Sequence, residues 1–143
     1  MADLVRLRKR GDLLQVEDRH LTNEGYDQKT EFGLAIDLAE KERAAEFGAT
    51  IPDRYAPYDY YLGGLHYDIK SSRGKWLSIS YRELEFAEKQ VEAGKDVIYA
   101  VYLQRPYLCY EFLGYVSFKS IQHVMHEGST PYWSLSTVKS NLL

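Results

Sequence analysis

Residues 58–70 read YDYYLGGLHYDIK, and this stretch decides the fold that we expect for the chain. Two strand-like runs flank the glycine pair at 63–64, and a two-residue turn of this kind, with positive φ at both central positions, is typical of a β-hairpin. Such a turn pairs positions whose numbers sum to 127, so Asp59 is expected opposite Asp68, roughly 5 Å away between Cβ atoms. Lys70 then lies on the same face as Asp68, about 6.6 Å further along the strand.

This arrangement brings two carboxylates close enough to repel one another, so a cation is expected between them. Lys70 is one candidate for that cation. A divalent ion is the better one, because Mg²⁺ binds through one or two carboxylates together with water and phosphate oxygens. The plainer interpretation of Asp68 and Lys70 is a surface ion pair worth less than about 1 kcal/mol.

The elements expected around the hairpin alternate between helix and strand, which predicts an α/β sandwich around a mixed sheet. Ser80 and Glu83 form the pattern of a capping box at the start of a helix, and Gly48 and Gly94 are expected to end helices. The expected elements are a hairpin with a basic tip (3–8 and 12–17), a loop (18–28), helices (30–47 and 81–93), a loop (71–74), a strand (96–103), a further strand or hairpin (107–118, bent near Gly114) and a short helix (119–126).

The composition is that of one globular domain of 143 residues, with 45% hydrophobic and 27% charged side chains. The chain has no run of about 18 apolar residues, so no membrane span is expected. A single cysteine, Cys109, excludes an internal disulfide. With an N-terminus that lacks a signal-peptide core, this predicts an intracellular, cytoplasmic setting.

The net charge of −3 argues against a surface that is basic throughout. The charges are nevertheless unevenly placed. Two short basic islands occupy 1–10 and 69–76, and the acidic side chains gather in 31–59. A local basic surface for nucleic acid is therefore compatible with the sequence.

The stretch around the hairpin resembles the PD-(D/E)xK nuclease superfamily. Tyr58-Asp59 is similar to the first acidic motif of that family, and Asp68-Ile69-Lys70 to its D-x-K motif. Residues 78–87 look like the helix start that follows the motif, and 96–103 like the next core strand. The proline of the family name does not directly precede the first aspartate here, because Pro57 lies two residues before it and Pro52 seven.

The resemblance covers residues 30–104 and implies a restriction-endonuclease-like fold, a three-layer α/β sandwich around a central mixed sheet. It implies a single domain over 1–143, in which an N-terminal hairpin extension (1–28) precedes the catalytic core (29–104) and the C-terminal strands and tail (105–143).

The same resemblance implies hydrolysis of DNA phosphodiester bonds with Mg²⁺, for which Mn²⁺ can substitute. Asp59, Asp68 and the backbone carbonyl of Ile69 would hold the metal, and Lys70 would orient the attacking water. The family's third acid has three candidates on the first helix. Asp37 is preferred because it stands in an apolar run where an unpartnered carboxylate is costly; Glu31 at the helix start and Glu40, in a stretch that looks solvated, remain alternatives.

The polar loop after the motif is expected to contact the DNA backbone through Ser71, Ser72, Arg73 and Lys75. These contacts read no bases, so they carry no sequence specificity. A homodimer is expected, since cutting both strands of a duplex takes two active sites. The alternative function is a catalytically inactive nuclease-like fold that acts as a nucleic-acid-binding or protein-assembly module.

Overall fold

A computed structural model describes residues 3–17 and 31–143 of the chain, and for 31–35 it describes the backbone alone. The loop expected at 18–28 lies outside the described residues. The elements in chain order are β1 (Leu13–Gln15), α1 (Glu31–Glu46), β2 (Tyr60–Leu62), β3 (Leu65–Ser72), β4 (Trp76–Ser78), α2 (Tyr81–Glu92), β5 (Val97–Arg105), β6 (Cys109–Ser117), α3 (Phe118–Ile121), a 3₁₀ turn (Gln122–Val124), β7 (Tyr132–Ser134) and α4 (Leu135–Ser140).

The architecture is mixed α/β, built on a curled five-stranded sheet with the strand order β1-β6-β5-β3-β2. β3 and β5 run parallel, and the remaining neighbours in this sheet are antiparallel. α2 forms the crossover between the two parallel strands, which is the connection that parallel pairing requires. A second sheet consists of β4 and β7 alone.

The central hairpin has the predicted turn and register. Gly63 and Gly64 have φ values of 61° and 86°, as a primed turn demands. Tyr60 pairs with Tyr67 across the hairpin. Positions therefore sum to 127, as the sequence indicates.

Alternating residues of β5 divide between two apolar clusters, because successive side chains of a strand point to opposite faces. Tyr102 belongs to the first cluster, to which α1 contributes Ile36, and Val101 belongs to the second, to which α2 contributes Leu84. Helices thus pack on both faces of the central strands. The capping box at the start of α2 is confirmed, with Ser80 as the N-cap.

The expected N-terminal hairpin is wrong. Residues 3–8 form no strand, and β1 pairs with β6 rather than with its own chain neighbours. The backbone N–H of Val5 donates to the Tyr67 hydroxyl and that of Leu7 to the Tyr115 hydroxyl, each at 2.8 Å. The segment with the alternating pattern thus packs against tyrosines of the sheet. These partners are distant in sequence, so the local pattern does not reveal them.

The C-terminal part holds more order than the sequence indicates. β3 continues through Ser72 into the expected loop, and the tail supplies β7 and α4. β6 is irregular at Gly114, where the register with β5 shifts, so the predicted bend is confirmed. The short helix expected at 119–126 is present as α3 and the 3₁₀ turn.

Candidate active site

The site lies where β2 begins, at the point where β3 extends past the hairpin while it stays paired with β5 on its other side. Asp59 stands one residue before β2, and its N–H donates to the Tyr67 carbonyl at 2.8 Å, which extends the hairpin ladder by one bond. The Asp59 carboxylate then turns back onto β3, and its Oδ2 accepts from the Ile69 N–H at 2.6 Å. The first aspartate is thus fixed at both its backbone and its side chain.

Asp68 and Lys70 occupy one face of β3, as the period of a strand requires. The Lys70 Nζ lies 3.5 Å from Asp68 Oδ2. Asp68 is only 4% exposed, and its Oδ2 forms no hydrogen bond with the described part of the chain. A buried carboxylate oxygen of this kind is costly unless a cation faces it.

Asp37 brings a third carboxylate from α1. Burial raises the pKa of Asp37 well above its usual range, and the negative charge of Asp59 raises it further, while Lys70 and Lys41 oppose the rise. The Lys41 Nζ also lies 3.5 Å from Asp59 Oδ1. Asp37 is therefore the first-helix acid whose charge interacts with Asp59 and Lys70.

The other two candidates for the first-helix acid are Glu40 and Glu31. Glu40 is 3% exposed and pairs with Arg8 at 2.7 Å, while it also accepts a hydrogen bond from the Tyr102 hydroxyl. The expectation that Glu40 belongs to a solvated surface is wrong, because the N-terminal segment covers it. The Glu31 side chain lies outside the described residues.

Glu83 is a member of this charged cluster that the sequence did not predict. Its Oε1 accepts from the Ser80 N–H at 2.8 Å in the capping box, and its Oε2 lies 2.5 Å from the Lys70 Nζ. One carboxylate therefore caps α2 and holds the lysine of the motif. The S-x-x-E pattern revealed the first role, but the second depends on how α2 crosses β3.

The charges of this cluster are strongly coupled. Burial opposes ionisation of Glu83, but its hydrogen bond with Asp68 and the charge of Lys70 bring the pKa of Glu83 down to about 2. Burial raises the pKa of Asp68 well above its usual range, with a further rise from the hydrogen bond to Glu83. Burial would lower the pKa of Lys70, yet the facing carboxylates raise it, so the amine stays charged.

The donor set fits Mg²⁺ through a few protein ligands. Among the side chains that the structure describes, no three histidine, cysteine, aspartate or glutamate residues form a group that could hold a metal ion. Asp59 and Asp68 nevertheless provide hard oxygen donors, and Asp68 Oδ2 accepts no hydrogen bond from the described residues, although the Lys70 amine lies 3.5 Å from it. The Ile69 carbonyl joins them, because the N–H and C=O of one strand residue point to the same side and this N–H faces Asp59. Mg²⁺ characteristically keeps several waters beside one or two carboxylates.

The loop expected to contact nucleic acid borders a groove of about 490 Å³, which is lined by Ser71, Ser72, Arg73, Lys75, Trp76 and Ser78. Ser71, Arg73 and Lys75 are exposed. Ser72 is 3% exposed, and its hydroxyl donates to the Trp76 carbonyl at 2.7 Å. The structure thus places Ser72 as a support of the loop, while the other three side chains face solvent.

Comparison with family models, curated proteins and solved structures found no match to this chain. In the described part of the chain, every helix is too short or too polar to cross a lipid bilayer.

Proposed function

We propose that the chain is a Mg²⁺-dependent endonuclease that hydrolyses DNA phosphodiester bonds. The observation that carries the proposal is the shared position of Asp59, Asp68 and Lys70 at the open end of the hairpin, where Asp59 bonds the Ile69 N–H and Lys70 pairs with Asp68. Helices on both faces of the central strands support a restriction-endonuclease-like three-layer sandwich as the architecture.

Mg²⁺ would be held by Asp59, Asp68 and the Ile69 carbonyl, with Asp37 as a further acidic ligand. Mn²⁺ would substitute for Mg²⁺. The bound metal would supply polarisation of the scissile phosphate and a lower pKa for the attacking water. The hydrogen bond from the Ile69 N–H fixes the Asp59 carboxylate before any ligand arrives. Because the Asp59 carboxylate is already fixed, no free energy is lost in ordering it when the metal binds.

Lys70 would orient the attacking water and stabilise negative charge on the phosphate oxygens. Since its facing carboxylates keep the amine protonated, Lys70 acts as a hydrogen-bond donor rather than as a base. Glu83 would act as a positioning residue, because its 2.5 Å contact fixes the ammonium group beside Asp68.

The remaining parts of the proposal concern partners and setting. Ser71, Arg73 and Lys75 would contact the DNA backbone, and a homodimer would place two sites on the two strands of a duplex. We place the enzyme inside the cell, where a lone cysteine such as Cys109 stays reduced.

One observation favours the alternative of a catalytically inactive binding or assembly module. Lys70 forms ion pairs with both Asp68 and Glu83, so the cluster is partly neutralised by the protein itself. In an inactive module, these ion pairs would serve only to stabilise the fold. In an enzyme, Mg²⁺ must compete with Lys70 for Asp68.

The test is cleavage of supercoiled plasmid with Mg²⁺ in large excess over its dissociation constant, so that the metal site is filled. The variants Asp59→Asn, Asp68→Asn and Lys70→Met should each lose about 100- to 1000-fold in rate, the usual effect of removing one electrostatic contact to the reacting group. Matched controls are Asp53→Asn, in an exposed turn, and Lys89→Met, in an exposed ion pair with Glu85.

Cutting that survives Asp68→Asn and Lys70→Met would reject the site assignment. DNA binding without cutting by the wild-type protein would select the inactive module. If the wild type neither binds nor cuts in low salt, where phosphate contacts are strongest, both nucleic-acid functions are rejected.

A further inference from the structure

We propose that the groove beyond the end of β3 binds an unpaired DNA base by stacking it on Trp76, so that the substrate is DNA with single-stranded nucleotides next to the cleaved phosphate. This inference rests on the proposed nuclease function, and it adds a substrate class and a binding residue to it.

Trp76 is exposed to solvent, and its neighbours in β4 and β7 hold it in place. Its side chain is 52% exposed, whereas the next residue, Leu77, is fully buried in the second apolar cluster. The indole packs edge-on against Tyr132, with 5.2 Å between ring centroids, and its backbone pairs with Ser134 of β7. A ring that is ordered in advance loses little entropy when a base stacks on it.

The surroundings of the ring are cationic. Arg73 and Lys75 line the same groove, and neither takes part in an ion pair with another described residue. The stretch 69–76 contains no acidic residue. A positively charged groove that carries an aromatic platform is the usual arrangement for single-stranded nucleic acid, in which cations follow the backbone and the ring holds a base.

The groove begins next to the candidate active site along the chain, because Ser71, which follows Lys70 in β3, lines it. Lys70 and Ser72 are two positions apart in β3, about 6.6 Å along the strand. The Ser72 hydroxyl bonds the Trp76 carbonyl and so holds the platform beside the strand end. This spacing corresponds to about two base rises of 3.4 Å. A nucleotide adjacent to a phosphate held at Lys70 would therefore lie beside Ser72, whose hydroxyl bonds the backbone of Trp76.

Stacking distinguishes unpaired from paired bases. Inside a duplex both faces of a base are covered by its neighbours, so an external ring can stack only on a base that is unpaired or extruded. Phosphate contacts from Arg73 and Lys75 would bind either form. Trp76 would therefore supply the preference for single-stranded nucleotides.

The experiment measures equilibrium binding in EDTA, so that cleavage plays no part in the readout. The probes are a 15-nucleotide oligo-dT, the same strand with abasic sites, and a blunt duplex. Binding of oligo-dT should quench the fluorescence of Trp76, because the second tryptophan, Trp133, is fully buried. Trp76→Ala should weaken oligo-dT binding by about 5- to 150-fold, the range for loss of one stacked base, while Trp76→Phe should retain most of the affinity.

The matched control is Tyr107→Ala, which removes an aromatic side chain that is 93% exposed and lies outside the groove. Tyr107→Ala should bind oligo-dT as tightly as the wild type does. The wild type should bind the abasic strand only as weakly as Trp76→Ala binds oligo-dT. Unchanged binding by Trp76→Ala, or equal quenching by the duplex, overturns the base site even if the protein cuts plasmid. Trp76-dependent binding by a protein that cuts neither plasmid nor oligo-dT with Mg²⁺ would reject the nuclease function and leave the base site standing.

Discussion

The contact between Glu40 and Arg8 offers the clearest test of how the N-terminal segment is held. Glu40 is 3% exposed, Arg8 donates to its Oε1 through Nε at 2.9 Å, and the Tyr102 hydroxyl donates to its Oε2. One carboxylate therefore joins the N-terminal segment, α1 and β5. Replacing it by glutamine keeps the shape and removes the charge.

The expected cost of Glu40→Gln is about 3 kcal/mol of the free energy of unfolding. Removing one partner of a buried ion pair costs about 3–5 kcal/mol, because the other charge stays buried. The lower end applies, since the glutamine carbonyl still accepts from one of the two donors and the Arg8 side chain retains 15% exposure.

Urea unfolding followed by circular dichroism measures this cost. With a slope of about 2 kcal/mol per M, the midpoint should fall by about 1.5 M. The matched control is Glu85→Gln, which breaks an ion pair with Lys89 whose side chains are both 69% exposed and should cost less than about 0.5 kcal/mol.

A double-mutant cycle with Arg8→Met separates the pair from general disruption. Because the buried guanidinium no longer needs a counter-charge, the double variant should be more stable than the sum of the two single costs predicts, by at least about 1 kcal/mol. A loss no larger than that of Glu85→Gln, or strictly additive costs, would refute the reasoning.

Three further outcomes follow from the site and the turn. Glu83→Gln preserves the capping pattern but removes the charge that holds Lys70, so plasmid cleavage should fall about 10- to 100-fold; full activity would show that Lys70 is positioned without it. Gly63→Ala should cost more than about 1 kcal/mol in urea unfolding, because φ is positive and the added Cβ would lie 2.9 Å from a neighbouring side chain. Gly48→Ala, with positive φ in open space, is its control and should cost less. Mg²⁺ at 100 times its dissociation constant should stabilise the wild type by about 2.7 kcal/mol in a thermal melt, and Asp68→Asn should abolish that shift; an equal shift in both would place the metal elsewhere.

The predictable parts of this fold are those specified by neighbouring residues. The glycine pair at 63–64 turns the chain through its own positive φ angles, and the register of the hairpin follows from that turn. The cap of α2 likewise depends on Ser80 and Glu83, which are three residues apart. Each of these contacts closes within a few residues, so each leaves a recognisable pattern.

The mistaken and missed parts depend on contacts between distant residues. Residues 3–8 alternate like a strand, but their backbone N–H groups bond tyrosine hydroxyls that come 62 and 108 residues later. Glu40 looks solvated beside Lys41 and Glu42, yet Arg8 and Tyr102 enclose it. The local sequence does not reveal which charged side chains will form an ion pair in the folded chain.

By itself, the sequence determined the hairpin, the facing aspartates and the helix caps, because turn geometry and strand period act over a few bonds. Only the tertiary structure decided that the charge of Asp59 acts on Asp37, that Glu83 holds Lys70, and that Trp76 stands exposed on β4, four residues after the end of β3. The physical reason is that charge pairing and burial depend on distance in space, which the packing of α1 and α2 against the sheet establishes.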